Sequence, residues 1–191
     1  CTSFRLSLLI HRIVEQEAGF TPILEFLPSL SRELLDENRS WMEPAALDPA
    51  GMAVLCFQSY VVKTPHHTIL VDACIGNDKS FPHRPTWHRK SDSNWMQALK
   101  AAGVTVDDID FVMCTHLHGD HVGWNTRTGE RPLGPDLSER QISLLKKEYE
   151  YWEGVHRETP LDPMTDSVLP IIDAKRPSSS PATMRSTTIS G

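Results

Sequence analysis

Three histidines and an aspartate fall within "THLHGDH", Thr115 to His121. Crowding such groups together is unfavourable unless a cation or solvent takes them up, which makes this stretch the strongest constraint on the fold. His116 and His118 alternate, so on an extended segment both side chains leave the same side of the backbone and can grip one ion. Asp120 and His121 follow where the chain turns toward a helix, with "HVGWN" as the helix entry, and their changed direction suits a second ion. Paired metals in hydrolytic sites sit about 3.5–4 Å apart. Neutral imidazoles with a carboxylate suit zinc best, with iron or manganese as alternatives. Taken singly, His11, His66, His67, His83, His88 and His156 read as surface or satisfied core histidines.

The surroundings of the motif have α/β logic. Leu6 to Glu17 reads as an opening strand, and Gly19 to Gly51 as a proline-punctuated extension or lid with a short helical piece at Leu30 to Leu35. "MAVLCFQSYVVKT" and "TILVDACI" are strand-like runs joined by Pro65-His66-His67 as a hairpin. After a polar loop, "NWMQALKAAG" forms an amphipathic helix with Trp95, Leu99 and Ala102 on one face and Gly103 at its C-terminal cap. Ile109 to Cys114 has little alternation, which predicts a strand covered on both faces. The histidines then sit at the carboxyl end of that strand, where open α/β sheets place their ligands. Further on, "SERQISLLKKEYEYWE" reads as a helix, with Ser138 and Gln141 spaced as a capping box. Residues 1–50 thus form an extension with the first strand and 51–174 the main domain, while 175–191, rich in Ser, Thr and Pro, reads as a disordered tail.

The net charge of −6 argues mildly against a nucleic-acid partner. No apolar run approaches the roughly eighteen residues of a membrane span. Cys1, Cys56, Cys74 and Cys114 contain no C-x-x-C pair, the pattern of reduced thiols in a cytoplasmic protein. The start at Cys1 reads as a fragment end, the alternative being a lipid-modified N-terminal cysteine. A small-molecule substrate is the expected partner, and oligomeric state is not legible.

"THLHGDHVGWN" resembles the H-x-H-x-D-H motif of the metallo-β-lactamase superfamily. "TILVDACIGNDK" is similar to that family's strand ending in aspartate and a glycine turn, and "ALKAAGVTVDDIDFVMCTHLH" to its helix-to-strand lead-in. The likeness covers Val54 to Asn125, with a weaker stretch at Lys146 to Glu153, and is nearest to glyoxalase-II-like, lactonase-like and organophosphate-hydrolase-like members. The resemblance implies an αβ/βα sandwich, mainly its N-terminal half being present. It implies that His116 and His118 bind a first metal and Asp120 and His121 a second. Asp72 would orient a ligand histidine through its free ring nitrogen, although without the resemblance Asp72 reads as a simple strand-end residue. The two zinc ions would share a hydroxide, water's pKa falling from about 16 to near 7. Asp120 would be the catalytic residue orienting it. The implied reaction is hydrolysis of an ester, thioester, lactone, lactam or phosphoester.

A complete site of that kind also takes a later histidine, a bridging aspartate and a final histidine. His156, in "EGVHRE", does not resemble the first of these, and Asp162, Asp166 and Asp173 lie in no recognisable metal context. Back-translation of Glu130 to Leu145, read one nucleotide later, can give "SVPWVPTFPNARYLFS", and the run after Asp173 can likewise give "AAFVVARDHEIDDHI", both family-like. Residues 129–145 and 174–191 are therefore expected to be products of shifted reading frames, which the nucleotide sequence tests directly. Against the metal-dependent hydrolase stands a non-catalytic, incomplete metal-binding remnant of one. A nuclease or di-iron oxidoreductase on the same fold is disfavoured by the acidic charge and by the lack of a flavin-binding segment. Trp87, His88 and Trp124 read as packing residues before cleft residues.

Overall fold

Alternating apolar residues build the strands that carry the motif. In the computed structural model, which describes residues 8–127, 131–132, 142–143 and 146–174, the elements in order are β1 (Leu9–Pro22), α1 (Ile23–Phe26), α2 (Arg32–Met42), β2 (Met52–Lys63), β3 (Thr68–Val71), α3 (Asn94–Ala101), β4 (Phe111–Met113) and α4 (Gly119–Val122). The short strands β5 (Thr126–Arg127), β6 (Arg131–Pro132) and β7 (Ile142–Ser143) follow, then α5 (Lys146–Glu158), a π-helical turn (Met164–Val168) and α6 (Leu169–Ala174).

The chain forms two compact units, residues 1–15 with 58–191 and residues 16–57. The first holds β3, β4 and β7 with the parts of β1 and β2 that fall within it, strands of a five-stranded sheet in the order β1-β2-β3-β4-β7. β2 and β3 pair antiparallel, Lys63 opposite Thr68, as the hairpin reading requires, whereas β3 and β4 are parallel, Leu70 opposite Val112. A parallel neighbour needs a crossover, and the loop plus α3 supplies it. One face of the sheet presents Val61, Leu70 and Val112 to a core that includes Trp95, Leu99, Leu117, Trp124 and Tyr149. Trp95 is wholly buried and stacks on Trp124 with centroids 4.9 Å apart. α3 ends as its sequence predicts, at Gly103 with φ +67°.

The expectation that the strand before the motif is covered on both faces is not met among the described residues. Met113 is 46% exposed and Tyr60 37%, and both pair with Val71 on the sheet face opposite the core. The sequence run is apolar at every position because this face is apolar too, not because a helix covers it.

The second unit has its own small core of Ile23, Leu35, Met42, Leu47 and Ala53. Its main helix, α2, is longer than the expected piece at Leu30 to Leu35; Ser31 starts it by accepting the Leu34 N–H at 3.1 Å. No helix of the described residues is long and apolar enough to cross a membrane. The capping box expected at Ser138, the segments attributed to shifted reading and the tail from Lys175 lie wholly or largely outside the described residues.

Candidate metal centre

The site is built where two turns lock together. After β3 the chain enters the left-handed region at Asp72 (φ 60°), Cys74 (φ 41°) and Gly76 (φ 76°), a conformation costly for residues with a Cβ. Backbone hydrogen bonds hold this turn against the one that follows the motif: Ala73 N–H donates to the His121 carbonyl (2.8 Å), Gly123 N–H to that of Cys74 (2.8 Å), and Trp124 N–H to that of Ala73 (2.7 Å). A Cβ on Gly123 would lie 1.8 Å from the Ile75 carbonyl oxygen, so only glycine permits the approach.

Underneath, Glu15 of β1 joins the same pieces. Its carboxylate accepts the Ile75 N–H and the Trp124 Nε1–H, each at 2.7 Å, and pairs with Lys90 at 2.7 Å. Lys90 also donates to Asn77 Oδ1 at 3.0 Å.

Asp72 faces the motif. Its Oδ1 accepts the Thr115 N–H at 2.7 Å, and the Thr115 hydroxyl lies 2.9 Å from Oδ2. Burial alone would raise this carboxyl's pKa, but His121 and both Thr115 donors outweigh burial and lower it. Because the carboxylate can only accept, the Thr115 hydroxyl donates to it and can accept from His116 Nδ1, 3.0 Å away. This assignment puts the His116 proton on Nδ1 and leaves Nε2 as a bare lone pair. That nitrogen sits 3.2 Å from His118 Nδ1. Two nitrogens bound tetrahedrally to one zinc at about 2.0–2.1 Å would be roughly 3.3 Å apart, so the pair fits one edge of a zinc shell. Burial, then the neighbouring His121 and His118, lower the pKa of His116 and favour the neutral form a ligand needs.

Asp120 and His121 are differently placed from the expected separate pair. The His121 ring lies against that of His116, with centroids 3.9 Å apart, while its Nε2 is 3.5 Å from Asp120 Oδ2 and its Nδ1 3.0 Å from Asp72 Oδ2. The buried Nδ1 is close to that oxygen but off the line of a hydrogen bond. Burial would lower the pKa of His121, but Asp120 and Asp72 outweigh it and push it up to about 9. Asp120 is itself lowered: burial opposes this, and His121 overcomes it. Asp72 thus reaches one histidine directly and His116 through Thr115. Among the described residues, no three or more histidine, cysteine, aspartate or glutamate side chains are grouped so as to hold one ion.

The remaining candidates lie elsewhere. Trp87 packs edge-on against Phe81 and His88 Nδ1 accepts the Phe81 N–H at 3.0 Å, so both organise the loop. His156 accepts the Leu161 N–H at 2.9 Å; Asp162 and Asp166 accept from Ser80. Sequence reasoning missed Glu15, whose position in an alternating strand looks solvent-facing, and Glu148 of α5. Glu148 Oε1 accepts the Leu117 N–H at 3.2 Å. Burial would raise its pKa, but hydrogen bonds from Trp152 and Leu117 outweigh it and lower it.

Residues 58–131 match the model of the metallo-β-lactamase superfamily. An N-acyl homoserine lactonase of Bacillus thuringiensis is 26% identical over 136 residues, covering 66% of this chain and 53% of that protein. The dizinc quorum-quenching lactonase AidC superposes with TM-score 0.63 at 16% identity, over 91% of this chain and 58% of its own. A probable metal-dependent hydrolase from Staphylococcus aureus superposes with TM-score 0.60 at 17% identity, over 84% and 56% respectively. The chain therefore spans about half the length of the relatives it matches. The matched segment contains the histidine motif, the turn at Asp72 and the strands that bring them together, and over these residues the chain is similar to the metallo-β-lactamase superfamily.

Proposed function

We propose that this chain carries the first metal-binding half of a metal-dependent hydrolase that cleaves an ester- or lactone-type bond in a small molecule. The observation that carries this reading is the 3.2 Å approach of His116 Nε2 to His118 Nδ1, with Thr115 and Asp72 orienting the first ring. His116 and His118 would hold one ion, and Asp120 and His121 would contribute to a second once His121 has lost its proton. Zinc is the preferred ion for this donor set, with iron or manganese as alternatives. When bound, it supplies Lewis-acid polarisation of the scissile group and a water acidic enough to be deprotonated near neutral pH. The chain's own residues supply direction: Asp72 fixes Thr115, Thr115 fixes the His116 tautomer, and Asp120, the proposed catalytic residue, presents a carboxylate beside His121 that would orient the attacking water. The kinship with lactonases supports the bond type, and the superfamily's fold alone does not select a substrate.

A second reading, a non-catalytic remnant that binds metal incompletely, is favoured by one observation. Among the described residues no group of three or more donors is arranged around one ion. The two readings separate on stoichiometry and turnover. Zinc content and hydrolysis of a panel of lactones, thioesters and phosphotriesters are measured for the wild-type chain and for the His116→Ala, His118→Ala double variant. The hydrolase reading expects two equivalents and turnover that the double variant loses. One equivalent at most, with no turnover above free zinc, supports the remnant.

A further inference from the structure

α5 touches the histidine motif in a way the proposed function does not use. One carboxylate oxygen, Glu148 Oε1, accepts both the Trp152 Nε1–H at 2.7 Å and the Leu117 N–H at 3.2 Å. Leu117 lies between His116 and His118 and is itself buried in the core. Trp152 lies edge-on to the His118 ring, with centroids 5.3 Å apart and planes at 69°. Glu148 and Trp152 are one helical turn apart, so both project from the same face of α5. The buried Tyr149 and the packed Trp152 anchor that face in the core.

The bland account is a helix-surface acid bonded to a tryptophan of its own helix. It leaves the bond to Leu117, 31 residues away in sequence, without a role. The Leu117 N–H belongs to the peptide that joins it to His116, and Leu117 is joined in turn to His118, so rotating this short stretch of backbone, which bends at both histidines, would move both imidazoles. We propose that Glu148 and Trp152 are positioning residues for the His116–His118 pair. Glu148 fixes the peptide between them and Trp152 limits rotation of the His118 ring. Each acts through the histidines, and the chemistry asked of Glu148 is acceptance of two N–H groups, which an amide oxygen can also perform.

The inference rests on the proposed function in taking the pair as metal ligands, so the test has a metal-free arm. In the metal-free chain, hydrogen exchange at the Leu117 amide is followed in Glu148→Ala and Glu148→Gln, with circular dichroism confirming the fold. Loss of the acceptor should speed exchange at Leu117 by about tenfold or more in the alanine variant, as expected when a local bond opens. The glutamine variant should stay near wild type. In the second arm, zinc affinity should fall about tenfold in Glu148→Ala, the lower range for partners of a ligand, and be restored in Glu148→Gln; Trp152→Phe should alter the His118 ring resonances while leaving Leu117 exchange unchanged. Unchanged Leu117 exchange in Glu148→Ala, or a glutamine variant as impaired as alanine, overturns the proposal. If the wild-type chain takes up no zinc, the metal reading fails, and the exchange and ring-resonance measurements alone decide whether Glu148 and Trp152 hold the segment.

Discussion

Glu15 and Trp124, 109 residues apart in sequence, meet beneath the histidine motif, where Glu15 Oε1 accepts the indole N–H at 2.7 Å. The same carboxylate holds Ile75 and Lys90, so one buried charge ties β1 to both turns of the site. Removing one partner of a buried ion pair leaves the other charge without its counterpart. Glu15→Ala should therefore destabilise the chain by about 3–5 kcal/mol, toward the lower figure because Lys90 keeps Asp92. Urea unfolding of the single variant and of Glu15→Ala with Lys90→Met checks this. The double variant should recover part of the loss.

Two glycines make opposite predictions. Gly123→Ala places a Cβ 1.8 Å from the Ile75 carbonyl oxygen and 2.6 Å from the Gly76 nitrogen. These are backbone atoms that cannot swing aside, so a loss of about 3 kcal/mol or more is expected. Gly154, in α5, has open space around its would-be Cβ, and Gly154→Ala should stabilise by up to about 1 kcal/mol through helix propensity. Denaturation midpoints of the two variants should move in opposite directions.

Thr115 is the link between Asp72 and His116. Thr115→Val removes the hydroxyl while keeping the shape, and should weaken zinc binding by about 10–100-fold, as loss of a ligand's hydrogen-bond partner does. Thr115→Ser should bind as wild type does. Equal binding by valine and serine variants would remove Thr115 from the account.

The metal-free chain should show a pH signature. His121 has its pKa pushed up to about 9 in the fold, after burial is outweighed by Asp120 and Asp72, against an ordinary value of 6.5. A raised folded-state value means the protonated ring favours folding. That contribution is complete below pH 6.5 and is lost as pH rises through about 9. The ring resonances of His121 should titrate near the upper end of this window, and Asp120→Asn should bring the midpoint down. Zinc binding at this residue must displace that proton, so uptake should release acid.

What could be read in the sequence was local. The hairpin around Pro65, the helix beginning at Asn94 and its end at Gly103 depend on neighbours within a few residues, and each is found as expected. What could not be read depends on distant partners. Glu15 in an alternating strand looks like a solvent-facing position, and only the turn at Ile75 and the indole of Trp124 show why it is buried. Met113 sits in an apolar run that suggests cover on both faces, yet it is exposed. Likewise nothing near Glu148 in the chain points to Leu117. Asp72 reaches His121 from the end of another strand, so no local pattern points to that contact and only the family resemblance suggests a histidine partner for it.

The most direct measurement is a competition titration of zinc into the metal-free chain against a chelator of known affinity, alongside His116→Ala with His118→Ala. Wild type should withdraw zinc from the chelator, and the double variant should lose more affinity than the roughly 10–100-fold typical of an outer partner. A wild-type chain that leaves the zinc with the chelator, or a double variant that competes equally well, would contradict the assignment of these two histidines as the core of a metal centre.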